Sequence, residues 1–223
     1  MPKAGPRYIL VEGNSDKQLI TELCTKHHFS APKFDFPESG GGITQLLESI
    51  PIRISESEVE VIGIVVDADA NISARWQALR DRLQNAAILQ EKRYLSFPTS
   101  PPSTGWISSE AHNPRVGVWL MPDNTNPGIL EDFARATIAE GDPLLAKAIE
   151  TVDEIEQEDL NRYSEVERPK VIIHTWLAWQ KESGRPLGQA VAHGYLQHDA
   201  PIALDFVSWL RRLLALSSTS EVA

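Results

Sequence analysis

Acidic side chains stand at or just after the ends of three apolar runs, and this placement is the strongest chemical signal in the chain. The runs read YILV, IGIVV and VWLM, and the acids that follow them are Glu12, Asp67, Asp69 and Asp123. In an open parallel sheet the carboxyl ends of the strands form one edge, so we expect these side chains to converge. Clustered carboxylates repel unless some are protonated or a cation neutralises them, and all-oxygen clusters suit Mg²⁺ or Mn²⁺. The pattern therefore predicts a divalent metal site.

Three further acids, Asp16, Glu131 and Asp132, fall in the first turns of predicted helices. Acids at these positions complement the helix dipole without any ligand, and Asp67 and Asp69 could likewise be turn residues. The recurrence of acids after three strands favours the metal site over these local roles. We therefore predict that Glu12, Asp67 and Asp69 come within reach of one divalent ion.

The elements that must position these acids alternate between strand-like and helix-like patterns over the first two thirds of the chain. Ser15 and Gln18 have the spacing of a capping box, and Asn126-Pro127 is typical of a helix start. Alternating strands and helices indicate an α/β fold with a mostly parallel, Rossmann-like sheet flanked by helices. We expect residues 1–141 to form a metal-binding α/β domain and residues 142–223 a helical extension packed on it.

Composition narrows the class of protein. The 223 residues are 42 % hydrophobic and 23 % charged, values that argue against a disordered or fibrous chain. The single cysteine, Cys24, excludes an intrachain disulfide and a four-thiolate zinc site. No run approaches the roughly 20 apolar residues of a membrane-spanning helix, and the first residues lack a signal-peptide pattern. We expect a cytoplasmic protein.

The net charge of −10 is unevenly distributed. Residues 150–167 contain eight acids and one base, a local charge of −7 that leaves −3 for the rest of the chain. Charge therefore neither excludes nor favours a nucleic-acid partner. We expect this acidic segment to be an exposed helix or linker that repels nucleic acid or docks a basic partner, with a plain solvated face as the alternative.

Two parts of the sequence resemble a known family. Val11-Glu12-Gly13 followed by Asp16, and the later strand that ends in Asp67-Ala68-Asp69, resemble the Toprim fold, the metal-binding domain of topoisomerases, primases and overcoming-lysogenization-defect nucleases. The segments PDN at 122–124 and GILED at 128–132 are similar to a Toprim-like bacterial family of unknown function. The resemblance covers residues 8–133 well and the helical tail only loosely.

The resemblance implies a function. The chain is too short for the DNA-gate domains of a topoisomerase and has too few cysteines for the zinc module usual in primases, so the small nucleases remain. The resemblance to these nucleases implies a Mg²⁺-dependent nuclease that acts on DNA, with RNA as the second choice. One metal would be held by Glu12, Asp67 and Asp69, and another by Asp16 with Glu131 or Asp132. Such ion pairs activate water and stabilise the leaving oxygen.

Two further features could contact a phosphate. Sites of this kind use a lysine to stabilise charge in the transition state, and Lys170, at the start of a predicted Trp-rich helix, is the candidate. Lys17 is the second choice, and a solvent-exposed helix-end lysine is the alternative. Gly41 and Gly42 precede a predicted helix and could bind phosphate through backbone N–H groups, or form a plain turn.

Two other functions stay open. Asp67-Ala68-Asp69-Ala70-Asn71 also resembles the nucleophile loop of haloacid-dehalogenase-like phosphatases, in which the first Asp is phosphorylated. That motif normally follows the first strand of its domain, whereas here a strand carrying Glu12 precedes it. The other alternative is a non-catalytic metal-binding or partner module that works with a separate ATPase, as some Toprim nucleases do. The sequence also leaves a homodimer open.

Overall fold

A mostly parallel sheet carries the acids that the sequence singles out. The structure is a computed structural model that describes residues 5–29, 34–37, 41–89, 95–109 and 114–215. Its strands are β1 (Arg7–Val11), β2 (Val61–Asp67), β3 (Trp106–Ile107) and β4 (Arg115–Met121), in the spatial order β1-β2-β4-β3. β1, β2 and β4 run parallel, and β3 pairs antiparallel with β4. The predicted α/β class with a mostly parallel sheet is confirmed.

Helices cover both faces of this sheet. In chain order they are α1 (Asn14–Lys26), α2 (Gly42–Ser55), α3 (Ile72–Leu89), α4 (Leu130–Ala136), α5 (Pro143–Gln157), α6 (Arg168–Ala178), α7 (Leu187–Ala192) and α8 (Pro201–Leu213). α2 and α3 pack on one face, and the other helices build the core on the opposite face. β2 is apolar along nearly its whole length because its side chains are buried on both faces.

The helices that follow residue 142 share their core with the sheet. The side chains of Phe206, Trp209 and Leu213 on α8 lie in the same buried cluster as Val65 and Trp119 of the central strands. α7 packs against α1. The described part of this extension, residues 142–215, contains no strand, and residues 216–223 of the predicted extension lie outside the described residues. No described helix is long and apolar enough to cross a membrane.

Two glycines let α8 approach the sheet closely. Gly63 of β2 and Gly117 of β4 are partners in the parallel ladder, and both face Leu213. A methyl group added at Gly117 would lie 2.8 Å from Leu213 Cδ1, which is closer than two carbons can approach. A larger residue therefore requires a shift of Leu213 at Gly117, and of Ile9 and Leu213 at Gly63.

Gly117→Ala should lower the free energy of unfolding by about 1–3 kcal/mol, the usual cost of overpacking a core. Urea unfolding followed by circular dichroism measures this loss. In a double-mutant cycle the loss caused by Gly117→Ala should be smaller in a Leu213→Ala background than in the wild type, because that background lacks the clashing atoms. A Gly117→Ala protein as stable as the wild type would contradict this account of the packing.

Two predicted helix starts are wrong. α1 begins at Asn14 instead of at the Ser15–Gln18 box, because the Asp16 carboxylate accepts a hydrogen bond from the Gly13 N–H at 3.0 Å and caps the helix two residues earlier. α4 begins at Leu130 instead of at Asn126-Pro127. There the Asp132 carboxylate accepts the Ile129 N–H at 3.1 Å, while residues 123–126 form a separate turn. In both cases an acid in the first turn supplies the cap.

Candidate active site

Glu12 and Asp67 meet at the carboxyl edge of the sheet. Glu12 directly follows β1, and Asp67 is the last residue of β2. The Asp67 backbone N–H donates a hydrogen bond to Glu12 Oε1 at 2.9 Å, and the Leu130 N–H donates to Asp67 Oδ1 at 2.9 Å. The end of β1, the end of β2 and the start of α4 are therefore joined through these two carboxylates.

Asp16 and Glu131 complete a group of four carboxyls. Asp16 lies in the first turn of α1 and is 7 % exposed, and Glu131 lies in the first turn of α4 and is 5 % exposed. The charges of Glu12, Asp16 and Glu131 all act on Asp67. We call Glu12, Asp16, Asp67 and Glu131 the acidic cluster.

Burial and mutual repulsion make these carboxyls hard to ionise. Burial, followed by the charges of its three neighbours in the cluster, raises the pKa of Asp67 to about 8. Burial and the Glu12 charge raise the pKa of Asp16 to about 7. The pKa values of Glu12 and Glu131 are also raised, chiefly by burial. Without a bound cation, the cluster therefore holds protons at neutral pH that exposed carboxyls would release.

The metal-free protein should lose stability as the pH rises from about 4 to about 8. Over this range the folded state keeps protons on Asp67 and Asp16 that the unfolded chain has released, because their unfolded pKa is 3.8. Their stabilising contribution is complete below pH 3.8 and disappears as the pH passes the folded values, at about 1.4 kcal/mol per pH unit for each proton. Melting temperatures measured in EDTA across this range test the slope. Asp67→Asn should flatten it, and an equal slope in this variant would contradict the assignment.

Two side chains of α6, Lys170 and His174, act electrostatically on the acidic cluster. Lys170, the third residue of α6, is exposed at its surface, and its charge lowers the pKa of both Glu12 and Glu131. His174, one turn later on α6, also lowers the pKa of Glu131. The Lys170 charge therefore acts on two of the four carboxyls of the cluster.

Asp69 lies beside the cluster and already has a cationic partner. Its charge acts on Glu12, but its carboxylate forms an ion pair with Arg75 of α3 and its side chain is 56 % exposed. The loop is held by two backbone hydrogen bonds between Asp69 and Gly128, of 2.9 and 2.8 Å. Any metal bound by Asp69 would have to compete with Arg75 for this carboxylate.

Asp132 and Asp123, two other predicted ligands, are engaged in local structure. Asp132 caps α4 and pairs with Arg135 at 3.1 Å. The Asp123 carboxylate accepts hydrogen bonds of 2.7–2.9 Å from the backbone and side chains of Thr125 and Asn126. Burial alone would raise the pKa of Asp123, but these bonds lower it. The structure does not bring Asp123 into the acidic cluster.

Gly42, one of the two predicted phosphate-binding glycines, and the second-choice lysine, Lys17, already have partners within the protein. Gly41 caps α2 and Gly42 opens it with a φ of +66°, but the Gly42 N–H donates to the Glu12 carbonyl oxygen at 3.2 Å. This N–H therefore supports the loop that carries Glu12 and is occupied there. The ammonium of Lys17, the second-choice lysine, lies 5.8 Å from the centre of the Phe36 ring, a cation–π contact.

The oxygen ligands of the acidic cluster suit a hard cation by their chemistry, although their side chains are not arranged around a common metal position. No group of three or more His, Cys, Asp or Glu side chains within the described ranges is already arranged to hold a metal ion. The second oxygens of Glu12 and Asp67 nevertheless have no hydrogen-bond partner among the described residues. Carboxylate oxygens without donors, beside other buried acids, fit Mg²⁺ or Mn²⁺ by their chemistry.

The acidic segment 150–167 is partly neutralised by the next helix. Arg168, the first residue of α6, pairs with Asp153 and, at 3.0 Å, with Glu156 of α5. The Tyr163 hydroxyl also donates to Glu156 at 2.9 Å. Part of the segment therefore fixes α6, and hence Lys170, relative to α5, while its remaining acids face solvent.

Arg75 and His174 are the neighbours of the site that reasoning from the sequence missed. Arg75 is six residues after Asp69 and belongs to no motif, so no local pattern indicates its ion pair. His174 follows Lys170 by four residues, the spacing that places two side chains on one helix face. That spacing was the available signal, and it has meaning only once Lys170 is known to face the acids.

Comparisons with known proteins give a family without a function. Neither the curated proteins nor the solved structures contain a match to this chain. The family model described as "Protein of unknown function (DUF3226)" matches residues 6–215, which is nearly the whole chain. The chain therefore belongs to the DUF3226 family.

Proposed function

We propose that this protein is a cytoplasmic, Mg²⁺-dependent nuclease of the Toprim type that hydrolyses phosphodiester bonds in DNA, with RNA as the second choice. The observation that carries the proposal is the acidic cluster, in which β1, α1, β2 and α4 bring four carboxyls to one sheet edge. Burial raises the pKa of each of them, and the charges of other cluster members raise those of Asp16 and Asp67 further. Such an arrangement costs stability, which is typical of a functional site.

A divalent cation would offset this cost. Glu12 and Asp67 would supply ligand oxygens first, because each has an oxygen without a hydrogen bond, and Asp16 and Glu131 would add negative charge around the ion. When bound, Mg²⁺ supplies Lewis-acid activation of water and stabilisation of the leaving oxygen. Because Asp67 and Asp16 hold protons at neutral pH, binding should release protons to the buffer.

The protein's own side chains would position the phosphate. The Lys170 charge acts on Glu12 and Glu131, so its ammonium would stabilise the negative charge of a phosphate held above the cluster. The backbone hydrogen bonds to Glu12 and Asp67 keep these carboxylates in place as the phosphate arrives. Positioning and charge stabilisation of this kind are what phosphoryl transfer requires of a protein.

The proposal is tested by incubating labelled single-stranded DNA, double-stranded DNA and RNA with the purified protein and Mg²⁺, Mn²⁺ or EDTA. Cleavage with either metal and none in EDTA would support the proposal. Calorimetry in two buffers of different ionisation enthalpy measures the released protons. Metal binding without cleavage of any substrate would replace the nuclease with a metal-binding module that needs a partner, such as a separate ATPase. The absence of both metal binding and cleavage would overturn the proposal.

A further inference from the structure

A cleft of about 600 Å³ opens beside the acidic cluster. Asp69 and Asp132 form part of its wall, and they are close in sequence to Asp67 and Glu131 of the cluster. Ile129 also lines it and directly precedes Leu130, whose N–H holds Asp67. Pro169, on the other side, directly precedes Lys170. A group in this cleft would therefore be adjacent to a phosphate held between the cluster and Lys170.

The cleft has an apolar lining that nothing in the described chain covers. Pro127, Ile129, Val166 and Pro169 contribute apolar side chains, and Val166 is 71 % exposed. The volume is within the range of pockets that hold small organic groups. These properties suit a flat, uncharged group such as a nucleoside base.

The charges around the cleft disfavour a second phosphate. Glu165 stands in the wall of the cleft beside Val166, and it belongs to the acidic segment, whose net charge is −7. A phosphodiester chain continuing past the base would have to run along these carboxylates, where like charges repel. The group in the cleft should therefore be the last nucleoside of its chain.

The opposite side of Asp69 differs in charge. Asp69 and Ala70 also line a smaller depression of about 340 Å³, together with Asn71, Ala74 and Arg75 of the α3 region. The one guanidinium here, Arg75, is paired with Asp69, so this side carries no net charge and repels a phosphate backbone less than the acidic side does. The Asp69 loop therefore separates a side that fits an apolar chain end from an uncharged side that a continuing strand can follow.

We propose that this cleft binds the terminal nucleoside of a nucleic-acid strand, so that the site removes nucleotides from a chain end. The inference rests on the proposed nuclease function. In the reaction, water provides the oxygen of the new P–O bond, the phosphodiester P–O bond breaks, and the leaving oxygen takes up a proton. The remaining strand leaves across the Arg75 side.

The test compares a linear single-stranded oligonucleotide with the covalently closed circle of the same sequence, with Mg²⁺ or Mn²⁺. The linear strand should be shortened to mononucleotides, and the circle should be cleaved at least about tenfold more slowly. Val166→Asp should raise the KM for the linear strand by about tenfold, because it places a charge in the apolar cleft. Leu160→Asp is the matched control, since Leu160 is an exposed apolar residue of the same acidic segment, does not line the cleft, and should leave the KM unchanged.

The outcomes separate the two proposals. Equal cleavage of circle and linear strand, or equal KM values for Val166→Asp and Leu160→Asp, would overturn the chain-end inference and leave the nuclease function standing. No cleavage of the linear strand, the circle, double-stranded DNA or RNA with either metal would overturn both. Circular dichroism shows whether each variant is folded, and Val166 is exposed enough for its replacement to leave the core intact.

Discussion

Asp67→Ala and Glu12→Gln should each reduce Mg²⁺-dependent phosphodiester cleavage by about 10³-fold or more, as the loss of a group central to catalysis does in other enzymes. Asp67 is at the centre of the acidic cluster, where three other carboxyls act on it. Glu12 is joined to it through the Asp67 N–H. Rates measured at saturating Mg²⁺ on the best substrate of the wild type test this expectation.

The same substitutions should not weaken the metal-free protein. Removing either half-buried carboxyl relieves like-charge repulsion, so the melting temperature in EDTA should stay the same or rise near pH 8. Asp67→Asn is the matched control, because its amide oxygen can still accept the hydrogen bond from the Leu130 N–H. Loss of activity together with a large loss of stability in all three variants would instead indicate a structural role.

A different chemistry would give a different product. An aspartyl-phosphate trapped on Asp67, or phosphomonoesterase activity without nuclease activity, would contradict the nuclease and favour the phosphatase of haloacid-dehalogenase type. Peptide mass spectrometry after incubation with a phosphomonoester detects such an intermediate. In that case Glu12→Gln should have a smaller effect than Asp67→Ala, because only Asp67 would react covalently.

Lys170→Ala should lower kcat by about 10²-fold or more, as the removal of one charge-stabilising donor does in other enzymes. Its charge acts on Glu12 and Glu131, where a phosphate would gather negative charge in the transition state. Mg²⁺ affinity, measured by calorimetry, should barely change because lysine is not a ligand. The fold should also persist, since the side chain is exposed on α6.

Lys147→Ala provides the comparison for Lys170→Ala. Lys147 is an exposed lysine of α5 paired with Glu150 at 2.7 Å, so its removal changes the net charge equally but away from the cluster. A Lys170→Ala protein that cleaves at the rate of Lys147→Ala would contradict the proposed role. Lys17 would then be the next residue to test, although its ammonium is engaged with the Phe36 ring.

The sequence by itself determined the class of fold and one edge of the site. Apolar runs long enough to be buried on both faces, separated by helical periodicity, are compatible with few arrangements other than a parallel α/β sheet. Because parallel strands end at one edge, the positions of Glu12 and Asp67 in the sequence were enough to place them together. Both conclusions depend on local patterns in the sequence and on the common direction of parallel strands.

Only the tertiary structure decided which of the other acids join Glu12 and Asp67. Glu131 and Asp132 are adjacent in sequence, yet Glu131 enters the cluster, whereas Asp132 caps α4 and pairs with Arg135. Successive helical residues point about 100° apart, so the packing of α4 on the sheet selects one of them. The same holds for the Asp69–Arg75 pair and for Lys170, whose charge acts on the cluster from a helix about 100 residues later in the chain. Partners so distant depend on how whole elements pack, and the spacing of residues within one element does not specify that packing.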